Sequence, residues 1–426
     1  MLSLLRKLAA RLRDNFPAAA GGLEYLARRL FGRWIGTYPR VLGNEVGAVK
    51  KVLYSSRWNM AYGQGLVHER LEAAFCSYLG SPNAVAVNTG GMALQMALRA
   101  LGLKPGDETP LQVDTCSATA FAVLNAGATP VFADVSTDTF MMNLADGAFA
   151  PSPNVRAVIA THMWGNPENL GELTRQCSAR SIPVIEDACL ALGSICDRKM
   201  AGTAGAVGVF SFGCLKPIQG GEGGMLVTKD EALARELRSL RHWGDRTIDY
   251  GVRDTTELAW NGRMSELVAA VVREQLRGYP AHLAELRERV AEFKTFLASI
   301  DGIDLHLGMA KSVEECAFTQ VVVRVDPTRI GMPSKELRSR LDGRGVATWL
   351  PNFEPIPSLS FFAKDHWKDW VLKGRLDAAE ANYHARFTNA GLVANTIGLG
   401  FPKQNFTSKA RVRHLIAAVR EVLVPR

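Results

Sequence analysis

The chain has 426 residues, with 50 lysines and arginines against 42 aspartates and glutamates and a formal net charge of +8. That length is enough for one large core and a smaller second domain. The basic surplus is gathered at the start, where nine basic residues face three acidic ones through Lys50; the rest is close to balanced. With no RNP, zinc-finger or helix-turn-helix signature, this balance argues against a nucleic-acid partner. Seven scattered cysteines without a C-x-x-C pair argue against a disulfide framework or a zinc site and fit a reducing cytoplasm.

Taken in chain order, the first segment is amphipathic. Leu2, Leu5, Leu8, Ala9 and Leu12 fall at helical spacing with Arg6, Lys7, Arg11 and Arg13 between them, until Pro17 ends the pattern. A second basic-apolar stretch runs from Leu23 to Trp34. Such a helix either lies on a membrane surface, which would make the protein peripheral to the inner face of a membrane, or packs on its own domain or a partner subunit. From Asn83 onward, short β-branched runs alternate with helical patterns: Ala84 to Val87, a helix from Met92 to Leu101, then Pro130 to Val135, Val155 to Thr161, Pro183 to Glu186, Val207 to Phe212 and Met225 to Thr228. Alternation of this kind predicts an α/β fold with a mostly parallel sheet flanked by helices, and functional groups at the carboxyl ends of its strands. A long helix over Leu267 to Leu297 then leads to a smaller α/β segment, with a strand at Gln320 to Val325, a helix near Lys335 to Leu341 and a last helix from Ser408 to Val424. The expected division is an extension over 1–50, a large domain over 51–285 and a small C-terminal domain over 286–426.

Three motifs carry chemistry. In Val209 to Lys216 (VFSFGCLK) a strand delivers a hydroxyl at Ser211 and, five residues on, a lysine in a turn, followed by the glycine cluster Gly220-Gly221-Glu222-Gly223-Gly224. An amine among uncharged neighbours can leave water and form an imine with the aldehyde of pyridoxal 5'-phosphate (PLP), although a lysine after a strand is also an ordinary solvated loop residue. The second motif is Val184 to Ala188 (VIEDA), a buried strand ending in two carboxylates. The PLP ring nitrogen must stay protonated, and Asp187 is the candidate for holding that proton; two carboxylates at a strand end could instead bind a divalent metal, but no Walker-type loop accompanies them. The third is Val87 to Leu94 (VNTGGMAL), where a strand turns through Gly90 and Gly91 into a helix start, a natural phosphate cradle and also a common connection. Gly63-Gln64-Gly65 does not complete a dinucleotide fingerprint.

These motifs, in this order, resemble the DegT/StrS-type family of PLP-dependent sugar aminotransferases, which have the aspartate-aminotransferase fold (fold type I). Ala118 to Val135, Thr161 to Gly165, Gly202 to Val209 and Trp260 to Glu266 are similar to the family's segments as well. The resemblance implies Lys216 as the Schiff-base lysine and proton shuttle, Asp187 on the ring nitrogen, and Ser211 with the Gly90–Gly91 turn on the phosphate. It implies an amino-acid donor, glutamate first among them, and a keto-sugar acceptor. It also implies a homodimer with shared active sites, in which Asn261 reaches the phosphate of the neighbouring subunit. Sugar 3-dehydratases of the same fold replace the lysine by histidine, so Lys216 speaks for amino transfer. Three positions depart from the family: Gly91 replaces a threonine or serine, Leu190 a glutamine, and Cys116 the aromatic that stacks on the cofactor ring. Each departure removes a cofactor contact, which keeps a catalytically altered or regulatory relative as the alternative. His162 is either a cofactor contact or a core histidine. Substrate contacts are expected from loops near Tyr62, Trp164, Arg241 to Tyr250 and Trp349 to Pro355.

Overall fold

The computed structural model describes residues 41–58, 60, 66–143, 152–245, 254–255, 257–349, 355–363 and 387–423. The amphipathic stretches before Trp34 and the loop residues Tyr62, 246–250 and 350–354 lie outside them.

The β-branched runs become a seven-stranded sheet. Its strands are β1 (Asn83–Val87), β2 (Glu108–Gln112), β3 (Thr129–Ala133), β4 (Val158–Thr161), β5 (Val184–Asp187), β6 (Val207–Ser211) and β7 (Gly224–Thr228). They lie in the order β1-β7-β6-β5-β4-β2-β3. From β6 to β3 every neighbouring pair is parallel, and β7 runs antiparallel to both β1 and β6. Strands such as β4 and β5 are buried along their whole length. Continuous burial requires cover on both faces, which helices before, between and after the strands provide. These are α1 (Glu45–Ser55), α2 (Val67–Leu79), α3 (Gly90–Ala100), α4 (Ser117–Asn125), α5 (Leu170–Ser178) and α6 (Glu231–Arg241). The sheet was expected to be mostly parallel, and it is; β2, whose sequence ETPLQ carries few strand signals, is the strand not anticipated.

The helix expected over 267–297 spans Glu266–Leu297 and is α7, capped by the Ser265 hydroxyl on the Leu267 N–H. Its first half supplies Ala269, Val272, Leu276 and Tyr279 to a core shared with α2 and β7. Its second half supplies Val290, Phe293 and Leu297 to a separate core. That second core lies on a three-stranded antiparallel sheet of β8 (Ile303–Leu305), β9 (Gln320–Val325) and β10 (Gly398–Pro402). Two more helices, α8 (Ser334–Asp342) and α9 (Lys409–Leu423), add Leu337, Leu341, Val412 and Leu415 to it. Among the described residues no helix is long and apolar enough to cross a membrane.

Candidate active site

Parallel register sets the site. Thr161 at the end of β4 lies beside Asp187 at the end of β5, which lies beside Val209 of β6. The carboxyl ends of β4 and β5 therefore open at one level, with β6 continuing past them to Ser211, and ligands gather at such strand ends in folds of this class. A cleft of about 430 Å³ is found there, within the usual range for a small-molecule site. Its wall includes Gly90, Gly91, Cys116, Asp187, Ser211 and Lys216. Six of the seven residues singled out from sequence are thus brought to one cavity.

Asp187 is almost wholly buried. Its carboxylate accepts the Thr119 hydroxyl at 3.0 Å on Oδ2 and the Cys189 N–H at 3.2 Å on Oδ1. Successive residues of a strand face opposite sides, and the neighbouring Glu186 accordingly points away from the cleft. Its carboxylate accepts N–H groups from Gly202, Ala204 and Gly205, and Nε2 of His162 lies 3.0 Å from Oε2. His162 Nδ1 in turn accepts the Glu168 N–H at 3.0 Å, so Nε2 carries the proton and donates to Glu186. His162 is therefore a satisfied core histidine and not a cofactor contact. Glu186 is likewise committed to the backbone, and the two carboxylates do not form a metal pair.

At the other end of the cleft, α3 starts against β6. The Thr89 side chain caps the helix on the Met92 N–H at 3.0 Å, and the N-terminal turn offers its remaining backbone N–H groups and the positive end of the helix dipole. Close approach explains Gly90. A Cβ there would stand 2.7 Å from Ser211 Cβ and 3.0 Å from Ser211 Oγ. Gly91 is different: a Cβ would meet nothing nearer than Thr89 Oγ1 at 4.0 Å, so space does not dictate the loss of the family's hydroxyl residue.

Lys216 stands on a loop with a closed neck. The Phe212 N–H donates to the Gly223 carbonyl and the Gly220 N–H to the Phe212 carbonyl, both at 2.9 Å. Gly223 has φ +131°, and a Cβ would press on Phe212 Cδ2 at 3.0 Å. Within the loop Leu215, immediately before the lysine, takes the left-handed φ of +65°.

Several residues of the cleft wall escaped the sequence reading: Thr119, Met163, Glu222, Gln320 and Lys403. Trp164 and Trp349 line it as expected, and so does Leu190. Arg241 does not; its guanidinium donates to Glu72 at 2.6 Å and to the Ala86 carbonyl at 3.2 Å. Asn261 is exposed on the surface, outside the cleft of its own chain, with its carbonyl accepting from Asn88 Nδ2 at 3.3 Å.

The wall fits PLP. A buried carboxylate stands ready for a ring nitrogen, a helix start and a hydroxyl for a phosphate, and an amine for the aldehyde. Two further oxygens on the wall, Thr161 Oγ1 and Gln320 Oε1, are buried without a hydrogen-bond partner among the described residues, as expected of a wall shaped for a polar guest.

Comparison with known proteins agrees. The model of the DegT/DnrJ/EryC1/StrS aminotransferase family matches residues 41–388. Among solved structures, S. venezuelae DesV, determined in complex with a ketimine intermediate, is 29% identical, with a TM-score of 0.76 over 90% of this chain and 95% of that one. The aminotransferase TlmJ from Streptoalloteichus hindustanus is 26% identical, with a TM-score of 0.75 over 91% of this chain and 97% of that one. DesI, solved in the presence of its TDP-sugar product, is 25% identical, with a TM-score of 0.72 over 88% of each chain. A wall with these groups, on this fold and in this company, identifies the chain as a member of the DegT/DnrJ/EryC1/StrS aminotransferase family and a PLP-dependent aminotransferase.

Proposed function

We propose that the enzyme moves an amino group from an amino-acid donor, glutamate first, to a nucleotide-linked keto-sugar, in cell-surface polysaccharide or secondary-metabolite biosynthesis. The similarity to DesI with its TDP-sugar product is the observation that carries the acceptor class. When bound, PLP supplies an aldehyde for an amine and a ring that accepts electrons. In this reading Asp187, aimed by Thr119 and the Cys189 N–H, holds the proton on the ring nitrogen. Ser211 and the Gly90–Gly91 helix start bind the phosphate. Lys216 carries the cofactor and moves the proton between cofactor and substrate carbon in each half-reaction. Cys116 takes the place on the ring face that relatives give to an aromatic.

The exposed Asn261 supports a homodimer in which it reaches the phosphate of the neighbouring subunit. The second core, on the three-stranded sheet, supports a small domain over 286–426 beside a large one over 51–285. We place the enzyme in the cytoplasm, with the basic segment 1–50 as its candidate contact with a membrane surface.

The test is an absorption spectrum of the purified protein with PLP, for wild type and Lys216→Ala, before and after glutamate. The visible band of lysine-linked cofactor is expected in wild type alone, and glutamate is expected to convert it to the amine form. Supplying a nucleotide-linked keto-sugar should then restore the band and yield an amino sugar by mass spectrometry. A wild type that binds PLP but never loses the band to any amino acid would refute amino transfer.

A further inference from the structure

A second lysine stands in the cleft. Lys403 opens the short turn after β10 and is only 6% exposed, although its side chain reaches the same cavity as Lys216. Its Nζ donates to the backbone carbonyl of Lys216 at 2.7 Å. The amide of Gln219 donates to the same oxygen at 3.4 Å, so both lone pairs of that carbonyl are used. The carbonyl being held belongs to the Lys216–Pro217 peptide, one residue beyond Leu215, whose left-handed φ costs a non-glycine residue free energy and persists only where surrounding contacts over-determine it. Enclosing an ammonium is itself costly. Burial, and then the charge of Lys216, push Lys403 down to about 7. The chain therefore keeps a costly group where a neutral one would pack, and that group donates to the carbonyl of the reactive lysine.

We propose that Lys403 is a positioning residue for Lys216: reaching over from the three-stranded sheet, it fastens the strained Leu215–Lys216 turn through the Lys216 carbonyl and so sets where the Lys216 amine stands in the cleft. This rests on the PLP reading of the site. It also gives the small sheet a direct hand on the reactive group, since Pro402, beside Lys403, pairs with Gln320 at the start of β9.

The experiment compares wild type with Lys403→Met, Lys403→Gln and Lys403→Arg. Apoprotein of each is mixed with PLP, the rise of the visible band is timed by stopped flow, and the linkage is trapped with borohydride and mapped to its peptide. Kinetics with glutamate follow. Lys403→Met is expected to slow the band and lower kcat about tenfold, as misplacement of a reacting group does, with KM for glutamate within twofold of wild type and the trapped site still Lys216. Lys403→Arg, which keeps a donor for the carbonyl, is expected to recover most of the rate. If Lys403→Met does not fold, Lys403→Gln, too short to reach the carbonyl, carries the same expectation. Unchanged rates in the variants would overturn the inference while leaving the function intact. A raised KM with unchanged kcat would also overturn it, because Lys403 would then be gripping substrate. A wild type that forms no band would remove the PLP reading and this inference with it.

Discussion

Restoring a hydroxyl at position 91 should tighten cofactor binding. Gly91 lines the end of the cleft proposed for the phosphate, its φ is not in the left-handed region, and a Cβ there has 4.0 Å of clearance from its nearest neighbour. Gly91→Ser therefore adds a donor on a Cβ that meets no close neighbour. A hydrogen bond to a charged acceptor contributes about 1.5–3 kcal/mol, and each ~1.4 kcal/mol is tenfold in Kd, so affinity for PLP should rise roughly 10- to 150-fold. Part of any gain could come from the helix alone, since replacing glycine within a helix stabilises it by up to about 1 kcal/mol. Gly91→Ala measures that part. Titration of each apoprotein with PLP, followed by absorbance, gives the three constants. Equal affinities for the serine and alanine variants would refute the placement of the phosphate at this helix start.

Gly90→Ala is the opposite case: its methyl would stand 2.7 Å from Ser211 Cβ, and a drop in PLP affinity of about tenfold is expected from the strain of overpacking, with an unchanged titration counting against it. Thr119→Val removes the hydroxyl on Asp187 Oδ2; the glutamate half-reaction should slow about tenfold, and a rate within twofold of wild type would show that Asp187 needs no such aim. For Glu186, burial pushes the carboxyl up, but His162 and the N–H groups of Gly205 and Gly202 more than offset this and hold it below its ordinary value of 4.5. A depressed folded value means that the stabilisation is present above about pH 4.5 and is lost as pH falls through the folded value. The Tm gap between wild type and Glu186→Gln should accordingly be wide near pH 7 and shrink toward pH 4, and a gap that stayed constant with pH would sink the assignment.

Much of this could be read before the structure, because the determining residues are local. The runs at Val184 to Asp187 and Val207 to Ser211 are apolar, short and bounded by chemistry, and a parallel sheet places their ends together without further information. Gly90, Ser211 and Lys216 followed from the same logic. What stayed hidden depends on contacts distant in sequence. Thr119 is an ordinary helix residue until the fold brings it to Asp187, 68 positions away. β2 contains Pro110 and a glutamate, and β10 reads GLGFP; both look like loops, since glycine and proline are depleted in strands. Missing β10 meant missing Lys403, which that strand delivers. His162 illustrates the reverse: it lies within a segment that resembles the family, yet its two hydrogen bonds assign it to the core.

The split between Glu186 and Asp187 also fixes the alignment of β5. A slip by one residue would exchange the two faces. Asp187 would then lie against the backbone N–H groups of Gly202, Ala204 and Gly205 on an arm one methylene too short, while Glu186 would extend a longer arm into the cleft. A misaligned strand would leave donors buried and unmet on one side and crowd the cavity on the other. The two acids that close β5 thus act as a proofreader of folding, rejecting the neighbouring register from both faces at once.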